Sequence, residues 1–186
     1  MKSVIRIGSR ESRLAVIQAE IVKKQIQKYH PRIQVELTAM KTTGDKILHK
    51  SLEDIGGKGL FVKELDQALL EGRIDISVHS LKDMPMEISK ELPIVAYTER
   101  EDPRDVLIYR PGFHEIPKEG VIGTSSRRRT LQMKKIYPFC TFRGIRGNVQ
   151  TRLRKLDEGG YDGTVLAAAG LRRLKMEDII GRVFEI

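Results

Sequence analysis

The sequence predicts an α/β protein made of two domains with mainly parallel sheets. Short strands alternate with amphipathic helices along nearly the whole chain, which is the pattern of repeated βαβ units. The length of 186 residues is enough for two small domains. A polar stretch at Arg100–Asp105 interrupts the alternation, so we place a boundary there and predict domains at residues 1–100 and 101–186.

The first domain is predicted to begin with a strand at Val4–Ile7. A helix follows, which Ser12 can cap and which ends before Pro31. Alternating apolar residues at Ile33–Leu37 predict a half-buried strand. The remaining elements are a loop at Thr42–Gly59, a helix at Leu60–Leu70 that Gly72 ends, and strands at Ile74–Val78 and Pro93–Thr98.

The second domain is predicted to restart with a strand at Val106–Tyr109. Another strand, Val121–Gly123, leads into hydroxyl residues that suit a helix start. The other predicted elements are a strand at Phe139–Phe142, a helix from Arg146–Asn148 to Gly159, a strand at Thr164–Ala168 and a last helix after Gly170. The apolar end, Val183–Ile186, is typical of a chain cut before its next element.

Composition excludes several classes of protein. A hydrophobic content of 40% with 32% charged residues is typical of a soluble globular protein. No apolar run approaches the roughly 20 residues needed to span a bilayer, and the N-terminus lacks a secretory signal. The single cysteine, Cys140, excludes an internal disulfide and suits a reducing cytoplasm. Because it lies in an apolar strand, we expect an inert, buried thiol.

The positive charge is concentrated in one segment. Val121–Leu156 contains ten Lys or Arg and no Asp or Glu, so the remaining 150 residues sum to about −1 of the net +9. Such a segment attracts nucleic acid or small polycarboxylates and phosphates, although a solvated helix face is a further reading. Nucleic acid is disfavoured because Trp is absent and no recognition motif appears.

The segment Val78–Pro85 places polar residues directly after a predicted buried strand. Ligands of open α/β folds bind outside the carboxyl ends of strands, so Asp83 beside Lys82 is a candidate catalytic carboxylate. The alternatives are a helix cap or a salt bridge with Lys82. For His79 a structural role is favoured, and no second His lies at ligand spacing, so we predict no metal site.

Arginines recur at three predicted strand ends. Arg127–Arg129 follow Ser125 and Ser126 at a strand-to-helix turn, where backbone N–H groups already favour anions. Arg146 repeats the arrangement, and Gly170 lets a ligand approach the backbone before Arg173.

The glycine-rich segment Gly56–Gly59 lacks the Ser or Thr that a phosphate loop needs after its lysine. It suits a flap over the site, with Lys58 able to reach an anion.

Seven motifs in order along the chain resemble the porphobilinogen deaminase (hydroxymethylbilane synthase) family. They cover nearly the whole sequence and are together highly specific. They are Gly8–Ser12, Gly56–Glu64, Val78–Pro85, Arg100–Asp105, Gly123–Ser126, Arg146–Asn148 and Ala168–Leu171.

The resemblance implies an enzyme, a transferase of haem and tetrapyrrole biosynthesis. The family joins four porphobilinogen units head to tail into hydroxymethylbilane and releases ammonia. Its growing chain is covalently attached to a dipyrromethane cofactor, which is itself bound to a cysteine of a third, α+β domain. Its first two domains resemble the halves of a type II periplasmic binding protein, with the ligand in the cleft between them, and the family is usually monomeric.

The resemblance also implies roles for individual residues. Asp83 is the catalytic carboxylate, which stabilises the cationic azafulvene left by ammonia. Lys58 and Phe61 belong to the flap. The predicted cofactor- and substrate-binding residues are Arg10, Ser12, Lys82, Thr124, Ser125, Ser126, Arg128, Arg129, Arg146, Arg152, Gly170 and Arg173.

The sequence departs from the family pattern in three ways. Arg127 replaces a usually apolar residue, and Asp54 lies where a basic residue is common. The third domain is missing, and Cys140 lacks the Gly-Gly-Cys context of the attachment site. We therefore expect a cytoplasmic enzyme without nucleic-acid or membrane partners, represented by two domains and inactive alone. The alternative is a non-catalytic module that binds a polycarboxylate or a tetrapyrrole precursor.

Overall fold

The computed structural model describes residues 3–46 and 59–185 and divides the chain into two units. Unit 1 is Met1–Glu99 and unit 2 is Arg100–Ile186. Each unit has its own sheet and its own hydrophobic clusters. No helix among the described residues is long and apolar enough to cross a membrane.

Unit 1 is built on a three-stranded parallel sheet with the order β2-β1-β3. The strands are β1 (Val4–Arg10), β2 (Gln34–Met40) and β3 (Ile76–Ser77). The helices are α1 (Arg13–Tyr29), α2 (Thr43–Lys46) and α3 (Lys63–Leu70), and a 3₁₀ turn spans Leu81–Asp83. The predicted cap is confirmed, because Ser12 Oγ accepts from the Ala15 N–H at 3.3 Å.

The sheet of unit 1 is packed on both faces. Ile7 and Val35 form one cluster with Ala19 of α1. On the other face, Leu65 of α3 packs with Ile74. Gly8 faces this second cluster, where an added Cβ would lie 2.3 Å from Ile74 Cδ1. The first strand therefore needs glycine at this position for close packing.

Several predicted elements of unit 1 are wrong in place or extent. Residues 93–98 form no strand, and Val95 is 79% exposed, because alternation alone supplies no neighbouring edge to pair with. The strand predicted at Ile74–Val78 pairs only at Ile76–Ser77. Helix α3 starts at Lys63 because a turn with Gly59 at φ +78° precedes it. Thr42–Gly59, predicted as a loop, contains α2, and its centre lies outside the described residues.

Unit 2 contains a five-stranded sheet with the order β6-β5-β7-β4-β8. The strands are β4 (Asp105–Tyr109), β5 (Val121–Gly123), β6 (Thr141–Arg143), β7 (Gly163–Ala167) and β8 (Arg182–Val183). The helices are α4 (Arg127–Ile136), α5 (Val149–Asp157) and α6 (Ala168–Leu174), and a 3₁₀ turn spans Glu177–Ile179. Both faces are covered, since Val106 and Leu107 of β4 belong to different clusters.

The prediction of a mainly parallel sheet is wrong for unit 2. Strand β5 is parallel to β6 and β7, but β4 is antiparallel to β7 and β8. Helical crossovers impose a parallel direction on β5, β6 and β7. Strand β4 enters from unit 1 without such a crossover, so nothing in the alternation of residues determines its direction.

Asp102, near the start of unit 2, is expected to make the stability of the fold depend on pH. The side chain of Arg104, and then its backbone N–H, donate to Asp102 and lower the pKa of that carboxyl from 3.8 to about 2. A carboxyl with a depressed folded-state pKa stabilises the fold above its unfolded pKa, and this contribution is lost as the pH falls towards about 2.

We therefore expect Asp102→Asn to flatten the loss of stability between about pH 4 and pH 2. Urea unfolding of both proteins across this range measures the two slopes. Equal slopes would contradict the prediction, whatever the absolute difference in stability between the two proteins.

Candidate functional site

The candidate catalytic carboxylate, Asp83, lies near the carboxyl ends of the strands of unit 1. Strands β1 and β3 are parallel, so Arg10 at the end of β1 and the residues after β3 lie at the same, carboxyl end of the sheet. The chain continues from Ser77 to the 3₁₀ turn that carries Asp83. There, Arg10 Nη1 is 3.5 Å from Asp83 Oδ2, and the two side chains are 18% and 24% exposed. Two of the predicted site residues are thus in contact.

Arg10 is held by further groups. Its Nε donates to Asp45 Oδ2 at 3.1 Å, and its Nη2 donates to the other oxygen of Asp45. The ring of Phe61 lies 4.3 Å from the guanidinium carbon of Arg10. Phe61, predicted in a flap, therefore covers a predicted anion-binding residue, while Lys58 lies outside the described residues. Sequence reasoning missed Asp45, since it lay inside a segment treated as a loop.

The other residues at this end of the sheet have distinct environments. Ser80 Oγ and the Gln18 amide exchange hydrogen bonds at 3.0 and 3.2 Å. Burial is the main cause of the lowered pKa of His79, which Asp83 opposes and Arg10 reinforces. The imidazole is therefore neutral at neutral pH. Lys82 is exposed in the same turn as Asp83.

The predicted hydroxyl donors of unit 2 hold the turn before α4. Ser126 Oγ caps α4 by accepting from the Arg129 N–H at 3.4 Å. Thr124 Oγ1 accepts from the Ser126 N–H at 3.2 Å, and Ser125 Oγ donates to the carbonyl of Ile145 at 3.0 Å. These hydroxyls thus shape a strand-to-helix turn at which backbone N–H groups favour anions.

A cavity of about 280 Å³ lies beside this turn. Its lining combines hydroxyl, cationic and apolar groups: Thr124, Ser125, Arg127, Thr130 and Leu131. Arg127 belongs to the arginine run noted in the sequence, but it was not among the predicted binding residues. The structure makes it a wall of the cavity, on the same turn as the predicted binding residues.

Two of the predicted binding arginines, Arg128 and Arg129, donate hydrogen bonds to the same buried carboxylate, that of Asp105. Arg129 donates through Nε and Nη2 to Asp105 Oδ1 at 3.1 and 2.8 Å, and through Nη1 to the carbonyl of Val165 at 3.0 Å. Arg128 Nη2 donates to Asp105 Oδ2 at 2.7 Å. The side chain of Arg129 is 11% exposed and that of Arg128 is 60% exposed. Arg129 therefore ties α4 to the sheet, whereas Arg128 remains accessible.

Arg146 and Arg152 lie at the start of α5. Asn148 caps the helix by accepting from the Thr151 N–H at 2.9 Å. Arg152 Nε donates to the carbonyl of Gly147 at 2.9 Å, where φ is +111°. Arg152 thus folds back on the turn that presents Arg146.

Gly170 and Arg173 both lie on α6. Gly170 is buried within this helix and Arg173 is half-buried. The pKa of Glu101 is lowered mainly by the backbone N–H of Asp102, with Arg172 and Arg173 adding to the effect. Arg173 therefore lies near Glu101 of its own unit.

Cys140 is half-buried, with Sγ 3.6 Å from the carbonyl oxygens of Pro117 and Lys118. Burial is the main cause of its raised pKa, which keeps the thiol protonated and weakly nucleophilic. Among the residues that the structure describes, no group of three or more His, Cys, Asp or Glu is arranged to hold a metal ion.

Several solved structures resemble the chain at low sequence identity. The periplasmic VFT2 domain of Bordetella pertussis BvgS is 13% identical, with a TM-score of 0.48 over 89% of this chain and 67% of that chain. The probable amino-acid ABC transporter extracellular-binding protein YtmK of Bacillus subtilis is 12% identical, with a TM-score of 0.47 over 100% and 79%. At these scores we base no inference on the similarity.

Sequence comparison is more informative. A porphobilinogen deaminase from Acetivibrio thermocellus is 63% identical over 97% of this chain, and one from Alkaliphilus oremlandii is 57% identical over 98%. The chain spans 62% of the length of each of these relatives. The family model described as "Porphobilinogen deaminase, dipyromethane cofactor binding domain" matches residues 5–186. A match over nearly the whole chain, together with such high identities, shows that the protein belongs to the porphobilinogen deaminase family.

Proposed function

We propose that this protein is the catalytic, anion-binding part of a porphobilinogen deaminase, with Asp83 as its catalytic carboxylate. The enzyme joins four porphobilinogen units head to tail into hydroxymethylbilane. The observation that carries the proposal is the contact between Asp83 and Arg10, 3.5 Å apart at the carboxyl edge of a parallel sheet. It supplies a negative group for a developing cation and a positive group for a substrate carboxylate at one place.

The chemistry requires both kinds of group. The carbon–nitrogen bond of the aminomethyl group breaks, and ammonia leaves with the bonding electrons after taking a proton. The resulting azafulvenium is positively charged, and the carboxylate of Asp83 stabilises that charge and accepts a hydrogen bond from the pyrrole N–H. A pyrrole α-carbon of the growing chain then forms the new carbon–carbon bond and loses its proton.

The donor set of unit 2 fits a dipyrromethane, whose two rings carry four carboxylates. The cavity beside α4 offers the hydroxyls of Thr124 and Ser125 and the cation of Arg127, and Arg128 is exposed on the same helix. We propose that these residues, with Arg146, hold the group. Once bound, it anchors the growing chain. The raised pKa of Cys140 argues against attachment at that thiol.

We further propose that the two units are the domains predicted at residues 1–100 and 101–186, and that Ser12, Lys82, Ser126, Arg152, Gly170 and Arg173 contribute to binding. The proposed location is the cytoplasm, and the proposed partner is the small molecule porphobilinogen. The single cysteine and the confined positive charge support this assignment.

Turnover and binding together test the proposal. The complete gene product that contains these 186 residues, called the full-length protein below, is incubated with porphobilinogen. Ammonia and hydroxymethylbilane are quantified, and porphobilinogen binding is measured by calorimetry. We expect stoichiometric release of ammonia. Binding without release would instead favour a non-catalytic module for tetrapyrrole precursors. Retention on DNA with a steep salt dependence would favour nucleic-acid binding.

A further inference from the structure

Asp45 touches the candidate catalytic pair without being one of its members. Both of its oxygens accept from one edge of the Arg10 guanidinium, through Nε and Nη2. The remaining terminal nitrogen, Nη1, is the atom that faces Asp83. A carboxylate that occupies one edge of a planar guanidinium determines where the other nitrogen points.

The carboxylate of Asp45 is itself fixed. Thr42, which is fully buried, donates to Asp45 Oδ2 through its hydroxyl at 2.7 Å and its backbone N–H at 3.3 Å. Burial raises the pKa of Asp45, but the hydrogen bonds from Arg10 and Thr42 outweigh this and lower it. The group therefore remains ionised at neutral pH.

The short helix that carries Asp45 is also anchored. Glu64 Oε1 of α3 accepts from the backbone N–H and the hydroxyl of Thr43 at 2.8 and 2.6 Å. The N–H of Gly44 donates to the carbonyl of Leu60 at 2.9 Å. A Cβ on Gly44 would lie 2.3 Å from the ring of Phe61, which covers Arg10. Because Gly44 has no side chain, the ring of Phe61 can lie against the face of the Arg10 guanidinium and restrict its movement.

We propose that Asp45 is a positioning residue, which orients Arg10 so that a single nitrogen faces Asp83 and leaves the Asp83 carboxylate available to the pyrrole. The inference rests on the proposed catalytic role of Asp83. Without Asp45, Arg10 is free to turn its fork onto Asp83, and a bidentate pair withdraws the carboxylate from the reacting ring.

Asp45→Asn keeps the size of the side chain and removes its charge. We expect kcat of the full-length protein to fall about 10- to 100-fold, while KM for porphobilinogen changes by a smaller factor, because the Asp83 carboxylate that Arg10 then withdraws acts in the chemical step. Asp45→Glu, which restores the charge, is expected to recover part of the loss.

Asp75→Asn is the matched control. Asp75 accepts from Arg6 Nε and Nη2 at 3.1 and 3.0 Å, which is the same two-point contact on the same strand as Arg10. Neither residue of this control pair is a candidate site residue. If Asp75→Asn lowers kcat as much as Asp45→Asn does at an equal loss of thermal stability, the effect is structural and the inference is overturned.

A double-mutant cycle separates positioning from an independent role. If Asp45 acts through Asp83, then adding Asp45→Asn to Asp83→Asn causes no further loss of kcat. Multiplicative losses would overturn the inference. If Asp83→Asn alone leaves turnover intact, the proposed function fails; if only Asp45→Asn is silent, the positioning role alone fails. Should Asp45→Asn not fold, Thr42→Val, which removes the 2.7 Å hydrogen bond at nearly constant volume, is expected to lower kcat in the same direction.

Discussion

Asp83→Asn is expected to lower kcat for ammonia release about 10²- to 10⁴-fold in the full-length protein. The amide has nearly the shape of the carboxylate and retains an oxygen for Arg10, 3.5 Å away. It cannot carry the negative charge that stabilises an azafulvenium. The loss therefore falls on the transition state, where the cation develops, more than on the bound substrate.

The measurement is initial-rate kinetics of ammonia release, paired with calorimetric binding of porphobilinogen. We expect the dissociation constant to change less than about threefold, since the arginines bind the substrate carboxylates. Asp66→Asn is the matched control within unit 1. Burial raises the pKa of Asp66, which means that its charged form is disfavoured in the fold, so we expect the neutral Asn to be tolerated. A kcat for Asp83→Asn within threefold of the unchanged protein would refute the catalytic role.

Asp105→Ala is expected to destabilise unit 2 by about 3–5 kcal/mol. Asp105 accepts three hydrogen bonds from Arg128 and Arg129, and the side chain of Arg129 is only 11% exposed. Removing the carboxylate leaves the guanidinium of Arg129 buried without its countercharge. The cost is therefore that of an uncompensated buried charge, not of one lost hydrogen bond.

Urea unfolding measures this loss, and two other variants identify its cause. Arg128→Ala is expected to cost at most about 1 kcal/mol, because the side chain of Arg128 is 60% exposed and an exposed ion pair contributes little. Asp105→Leu combined with Arg129→Met is expected to cost less than Asp105→Ala alone, because no buried charge is orphaned. A loss below about 1 kcal/mol for Asp105→Ala would show that Arg129 is not held as we describe.

Three carboxylates, those of Asp83, Asp45 and Asp105, show what sequence reasoning can and cannot identify. Asp83 was identified because it directly follows a predicted strand, a local signal. Asp45 was missed, and Asp105 was noted only as part of a motif, since their arginine partners lie 35 and 23–24 residues away in the chain. Sequence spacing predicts neighbours within one helix or strand. It does not predict which side chains meet across a sheet edge.

The presence of a strand can be predicted from the sequence in some cases, but its pairing and its direction depend on the tertiary structure. The residues Val106–Tyr109 predicted a strand, and β4 is a strand that is buried on both faces. The same kind of pattern at Pro93–Thr98 produced no strand. Hydrophobicity is a property of the residue, whereas pairing in a sheet needs a free neighbouring strand edge. The antiparallel direction of β4 likewise depends on how the chain enters the sheet.

The sequence by itself determined the α/β class, the helix caps at Ser12 and Ser126, the concentration of cations between Val121 and Leu156, and the family. These properties follow from composition, local hydrogen bonding and ordered motifs. Only the tertiary structure decided that Asp45 contacts the arginine facing Asp83 and that Asp105 holds Arg129 at the sheet. Both depend on charges that are distant along the chain and meet where solvent is partly excluded, which makes their geometry energetically important.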